Sequence, residues 1–216
     1  MSSTGNDIVA LTAVNQQRTH HSRFYSKILS EAERALYDRQ PPAEMLFENF
    51  VWLLWSVKES VYKYLKRTEP GLVFSPTRII IQYIDAPPSG EGLYKGKALF
   101  GPHSLYFQSV LYPEFIATVA GNNESFTNIG WGIRSISQSN YDHQSSAVRT
   151  FALDHLHRLV PGIGHREDLR IEKNGQGCPI LYKGAEELNI PLSLAHHGHF
   201  ISWSFYFSRE GRSVIS

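Results

Sequence analysis

The sequence predicts an α+β protein made of two similar halves, a pseudo-dimer in which each half is a long helix packed on a small antiparallel sheet. Three observations predict it. Two stretches, about 43–66 and 145–160, carry apolar residues at helical spacing. Each is followed by short β-branched and aromatic runs separated by turn residues. Between them lies a polar stretch, 121–143, rich in Asn, Ser and Gly, which reads as a linker and divides the chain into 1–122 and 123–216. A helix followed by a block of strands points to α+β rather than to alternating α/β units. The repeat is one long unit used twice, not a short-period array.

Gly5-Asn6-Asp7-Ile8-Val9 reads as a short strand with Asp7 at its end. Ser30-Glu31-Ala32-Glu33 is a capping box, with Ser at the cap and Glu three residues on. A short helix follows to about residue 39, and Pro41-Pro42 ends it. The long helix then runs from about Ala43 to Lys66, with Leu46, Phe50, Leu53, Leu54, Val57, Val61 and Leu65 on its apolar side, and Pro70-Gly71 closes it. Strands are predicted at 78–84, 97–100, 103–111 and 115–120. Pro87-Pro88-Ser89-Gly90 is a loop and Tyr112-Pro113-Glu114 a turn. Within the linker, 129–136 has strand character. The second helix, 145–160, places Val148, Phe151, Ala152, His155 and Leu159 on one side. Strands at 168–172, 179–182, 191–195 and 200–207 complete the second half.

Composition narrows the function. An apolar fraction of 42% with 12% aromatics describes a globular chain able to bury a core. A net charge of +1 gives no global field for nucleic acid. The single cysteine, Cys178, permits neither an internal disulfide nor a cysteine metal cluster. Ten histidines include the adjacent pairs His20-His21 and His196-His197, but neighbouring side chains diverge, so they make no zinc site. Residues 1–10 lack a basic stretch and apolar core, and no apolar run reaches membrane-span length. The expectation is a cytoplasmic enzyme or binding protein.

Two acidic segments carry the chemistry. Asp7 stands in the first strand. On the long helix, Trp55, Glu59 and Lys63 share one face at intervals of four, with Lys58 turned about 100° away. An isolated Glu-Lys pair is ordinarily a surface ion pair worth a few tenths of a kcal/mol. Here Trp52, Leu53, Leu54 and Trp55 place it at the edge of a buried surface. Two hard oxygen ligands beside cations suit a Mg²⁺ ion holding a pyrophosphate.

These segments resemble those of the 4′-phosphopantetheinyl transferases, which carry G-x-D-I/V and W-x-x-K-E-S/A-x-x-K. Gly5-Asn6-Asp7-Ile8 and Trp55 through Lys63 match in order and separation. Phe24 through Glu33 is similar to the family's F-x-x-K/R-x-L/F-S/T-x-x-E stretch, and Gly71-Leu72-Val73-Phe74-Ser75-Pro76 to the segment leaving the helix. The resemblance implies transfer of the phosphopantetheine arm of coenzyme A onto a serine of an apo acyl or peptidyl carrier protein, with Mg²⁺ as cofactor. It implies Asp7 and Glu59 as metal ligands, Lys63 facing the phosphates, and Lys58 stabilising either the leaving group or the helix. The base is Glu59 or a water on the metal. The alternative is a relative that binds a carrier protein or nucleotide without turnover.

The second half is similar to the other half of the surfactin-synthetase-activating type. Arg149-Thr150-Phe151-Ala152-Leu153 matches its helix motif, Gly177-Cys178-Pro179 its G-K/R-P, and Ala195-His196-His197 its strand end S-H-S/T. By position His196 contacts a coenzyme A phosphate, and Arg149 and Arg134 are the nearest basic groups for the 3′-phosphate. The halves stand in the reverse of that type's order, as in a circular permutation, and a monomer suffices. The sequence departs from the pattern at Val9, where a second acid is common, and at Cys178, where a cation is usual, with Lys173 or Lys183 as stand-ins. It departs again at Ala195 and His197, which replace hydroxyls.

Overall fold

The computed structural model describes residues 3–39, 45–88 and 90–208. Strand β1 (Gly5–Ala10) lies at the centre of the molecule and is buried along its whole length. Its alternate residues face two different layers, as the period of a strand requires. Gly5, Asp7 and Val9 face a long helix, and a Cβ on Gly5 would lie 2.0 Å from the Ser60 carbonyl oxygen of that helix. Only glycine permits so close an approach.

Three short helices follow: α1 (Gln16–Thr19), α2 (Ser22–Tyr25) and α3 (Glu31–Arg39). The capping box forms as expected: the Glu33 amide donates to Ser30 Oγ at 3.2 Å, and the Ser30 amide to Glu33 Oε2 at 2.8 Å. The long helix α4 spans Phe47–Lys66. It starts later than predicted, because Leu46 is its extended N-cap and is 61% exposed rather than part of the core stripe. The expected Pro41-Pro42 stop, the helix start at Ala43 and Ser89 of the loop lie outside the described residues. Phe50, Leu53, Leu54, Val57, Val61 and Leu65 are buried against the first sheet. Each large apolar side chain buried this way contributes about 1.5–3 kcal/mol.

That sheet is antiparallel, in the order β1-β5-β4-β3-β2. Its other strands are β2 (Ile80–Asp85), β3 (Gly92–Phe100), β4 (His103–Leu111) and β5 (Phe115–Gly121). Strand β3 is longer than the predicted 97–100, since Gly92, Gly96 and Lys95 obscure its pattern.

Beyond residue 121 the expected linker is itself structured. Strand β6 (Ile129–Ser135) pairs along its length with β11 (Phe200–Tyr206), and β10 (Leu192–His197) lies on the other side of β11. Helix α5 (Tyr141–Leu159) is capped by Asn140, whose side chain accepts from the His143 amide at 2.9 Å. Its buried stripe is Val148, Ala152, Leu153 and Leu156, while Leu159 is exposed. A separate antiparallel sheet is formed by β7 (Leu169–Lys173), β8 (Pro179–Lys183) and β9 (Glu186–Leu188). The second part therefore carries two three-stranded sheets, not one, and β9, too short and polar to read, was not predicted. The architecture is α+β, and no described helix is long and apolar enough to cross a membrane.

Thr4, just before β1, and the even-numbered residues of β1 face the second part. Thr4 Oγ1 donates to Ser204 Oγ at 2.9 Å, and Asn6 Nδ2 to Ser202 Oγ at 2.8 Å. Ile8, Ala117 and Ala195 form a small apolar cluster with Trp131, Ile133 and Phe200. Strand β1 is the edge of its sheet, and its outward amides are met by side chains of β10. The Asn6 amide donates to Ser193 Oγ at 3.0 Å and the Ala10 amide to His197 Nδ1 at 2.9 Å. Both pairs have the same sequence separation, so β1 and β10 run side by side in one direction. An edge otherwise open to foreign strands is closed in this way. The Arg67 guanidinium, just past α4, adds bonds to the carbonyls of Pro179, at 2.5 Å, and Leu192.

Candidate active site

Asp7 is in the middle of β1, opposite Thr118 of β5, and not at the strand end as expected. Its side chain points towards α4. Glu59 and Lys63 share one face of that helix, one turn apart, and the face looks onto Asp7. The Lys63 ammonium lies 3.1 Å from Asp7 Oδ1 and 3.8 Å from Glu59 Oε1. The two carboxylates thus converge on one cation. Burial raises the Glu59 pKa; Lys63 opposes that shift and the negative charge of Asp7 adds to it.

Asp7 Oδ2 is buried and has no hydrogen-bond partner. A buried carboxylate oxygen in that condition is costly unless something binds it. Among the described residues no group of three or more His, Cys, Asp or Glu is placed to hold a metal ion. Two carboxylates are nevertheless a fitting donor set for Mg²⁺, which keeps several waters and commonly takes one or two protein carboxylates together with substrate phosphates. The orphaned Oδ2 beside Glu59 meets that requirement.

The carboxylates border a cleft of about 490 Å³ whose walls include Trp55, Arg18, His196 and His197. The cleft draws on both parts of the chain. His196, at the end of β10, has its ring 5.5 Å from that of Tyr141. Burial lowers its pKa, and Lys63, Lys173 and Arg149 lower it further. Burial also lowers the His197 pKa, against the pull of Asp7. The adjacent histidines do diverge, but both reach this cleft because they stand where β10 ends. A second hollow of about 260 Å³ is bordered by Lys63, Lys66, Arg67, Lys173 and Cys178.

Lys58 is not part of this arrangement. It is fully buried, its ammonium 2.6 Å from Glu33 Oε2 and 2.7 Å from the Ile28 carbonyl. The expectation that it meets a leaving group is corrected: its rotation on α4 sends it into the core, so the helix-stabilising alternative stands. Glu33 also accepts from the Ile81 amide at 3.0 Å, which ties α3, α4 and β2 together. The capping box signalled the helix start but not this second use of the carboxylate. Arg149 Nη1 donates to the carbonyl and hydroxyl of Ser145 at 2.5 Å each, and it borders neither hollow. It acts on His196 only through its charge. Arg134 stacks over Phe151 at 4.3 Å. Of the two proposed stand-ins at Cys178, Lys173 borders the hollow, whereas Lys183 packs against Gly164.

Sequence reasoning missed Lys66 and Arg67, and it assigned no role to the basic residues Arg18, Arg23 and Lys27, although Lys27 stands at the K/R position of the F-x-x-K/R motif. The last three surround a hollow of about 640 Å³, floored by Phe24 and Trp55, that adjoins the cleft. They are scattered through two short helices and the turn after them, so no charge run announced them.

A family model described as the 4′-phosphopantetheinyl transferase superfamily matches residues 3–120, more than half of the 216 residues. The matched stretch contains β1, α4 and nearly all of the five-stranded sheet. No curated protein matches the chain. With Asp7, Glu59 and Lys63 all inside the matched region, the chain belongs to the 4′-phosphopantetheinyl transferase superfamily.

Proposed function

We propose that this chain transfers the 4′-phosphopantetheine arm of coenzyme A to a serine of an acyl or peptidyl carrier protein, with Mg²⁺ as its cofactor. The observation that carries the proposal is the meeting of Asp7 and Glu59 at Lys63, with one Asp7 oxygen left without a donor. Bound there, Mg²⁺ supplies charge neutralisation on the pyrophosphate. Asp7 and Glu59 are the residues that hold it.

The rest is the work of the chain's own groups. Lys63 places a positive charge beside the phosphates as negative charge moves towards the leaving group. In this reading His196, which lines the cleft, and Lys173, which lines the second hollow, also meet the phosphates. The serine hydroxyl attacks the phosphorus carrying the pantetheine arm. The bond from that phosphorus to the bridging oxygen breaks, and adenosine 3′,5′-bisphosphate leaves. Glu59, which borders the cleft, takes the hydroxyl proton. Arg18, Arg23 and Lys27, with Phe24 and Trp55, offer a basic, aromatic-floored surface next to the cleft for an acidic carrier.

In this reading 1–122 and 123–216 are the two halves of a pseudo-dimer in circularly permuted order. The support is that β1 and β10 lie side by side and that residues of both parts border one cleft. One chain then suffices for a complete site.

The test is to incubate the protein with coenzyme A, Mg²⁺ and an apo carrier protein and to weigh the carrier. One added phosphopantetheine is the expected result. A carrier that binds but is never modified, across several carriers, favours the non-catalytic reading.

A further inference from the structure

We propose that His197 is held as its neutral Nε2–H tautomer and offers that N–H to a phosphate oxygen of the co-substrate in the cleft. The inference rests on the transferase reading for the identity of the ligand, but not for the state of the ring.

The ring is fixed from the backbone side. A main-chain amide can only donate, so the 2.9 Å bond from the Ala10 amide makes Nδ1 an acceptor. In a neutral imidazole the proton must then sit on Nε2. The strands hold the ring in place. His197 is the last residue of β10, and a two-residue turn, Gly198-His199, leads into β11. Gly198 has φ +56°, and a Cβ there would lie 2.8 Å from the Ala10 Cβ, so the turn can sit directly on the end of β1. The Gly198 carbonyl is bonded in turn by Gln144 Nε2 of α5 at 2.8 Å. The hairpin tip is clamped between β1 and α5, and the ring cannot swing without breaking the Ala10 bond.

The ring also borders the cleft, together with Asp7, Glu59 and His196. Val9, which also borders the cleft, is apolar and buried. The Nε2–H is thus a fixed, uncharged donor on a residue that lines the same cleft as Asp7 and Glu59. A neutral donor suits a phosphate oxygen there because it adds no charge to compete with Lys63.

The test combines spectroscopy with two substitutions. Long-range ¹⁵N correlation spectra near neutral pH are expected to show His197 as Nε2–H, with that nitrogen shifting when coenzyme A is added. His197→Asn keeps an acceptor near the Ala10 amide but has no donor that reaches the Nε2 position, and kcat/KM for coenzyme A is expected to fall about ten- to a hundredfold, as for one hydrogen bond to a charged group. His197→Gln places an amide near the Nε2 position and is expected to recover most of that loss. An Nδ1–H or doubly protonated ring overturns the proposal, and so does an Nε2 signal blind to coenzyme A, or an active wild type matched by His197→Asn. A wild type that modifies no carrier overturns the transferase reading instead, and the spectra then still decide the state and exposure of the ring.

Discussion

The Asp7 carboxylate and the Lys63 ammonium, 3.1 Å apart, join the central strand to the long helix at the only point where that helix also presents Glu59 to the same cation among the described residues. Without the lysine, two carboxylates would face each other at the margin of a buried surface. Lys63→Met is therefore expected to cut turnover by about a hundredfold or more. Asp7→Asn and Glu59→Gln are expected to do the same while keeping shape. Because Glu59 is destabilised by burial and by the charge of Asp7, Glu59→Gln is expected to leave thermal stability unchanged or raise it. Steady-state kinetics with a melting curve for each variant separates lost chemistry from lost fold.

Lys58 and Glu33 predict the opposite pattern. The pair is fully buried and serves three elements at once. Lys58→Met leaves Glu33 buried without its counter-charge, at a cost of about 3–5 kcal/mol. Glu33→Gln combined with Lys58→Met removes both charges and is expected to recover part of the loss. Urea unfolding measures both. Equal destabilisation by the single and double changes would contradict the pairing.

Much of this was readable from the chain because local pattern and burial agree there. The capping box at Ser30–Glu33 formed, as did the α4 stripe from Phe50 to Leu65 and the strand begun at Gly5, although that strand carries Asp7 in its middle and not at its end. What was unreadable depends on partners remote in sequence. The stretch 129–136 has strand character, but its place inside an Asn-, Ser- and Gly-rich stretch makes the whole of 121–143 read as a linker, and only pairing with β11 makes it part of a sheet. Lys58 and Glu59 are neighbours with opposite fates, one in the core and one in the cleft, and the helical rotation between them shows its meaning only when α3 and β2 are in place. The bonds from Asn6 to Ser193 and from Ala10 to His197 have no local signal at all.

Acid should loosen the second part of the chain first. His155 Nδ1 accepts from Trp203 Nε1 at 2.7 Å, and burial, aided by Arg158, lowers its pKa below 6.5. His196 and His197 shift in the same direction. A histidine with a depressed folded-state pKa stabilises the fold fully above its unfolded value. That contribution is lost as the pH falls through and below about 6.5, because the unfolded chain then binds more protons. Urea midpoints are expected to fall between about pH 7.5 and pH 5.5, and His155→Gln to flatten that dependence. A pH-independent midpoint would contradict the buried neutral state.

The basic hollow predicts a salt-dependent encounter with the carrier. Arg23→Glu and Lys27→Glu, which line the basic hollow but not the cleft, are each expected to raise KM for the carrier several-fold while leaving KM for coenzyme A nearly unchanged. The wild-type KM for the carrier should rise with ionic strength, because steering charges are screened over about 8–10 Å. Insensitivity to both charge reversal and salt would place the carrier elsewhere.

The central claim is that Asp7 of the strand and Glu59 of the helix hold one divalent cation between them. Electron paramagnetic resonance of Mn²⁺ tests it most directly, with titration of the wild type, Asp7→Asn and Glu59→Gln in the presence of coenzyme A. The account predicts one bound ion per wild-type chain, with affinity collapsing in each variant. Equal binding by all three proteins would contradict it.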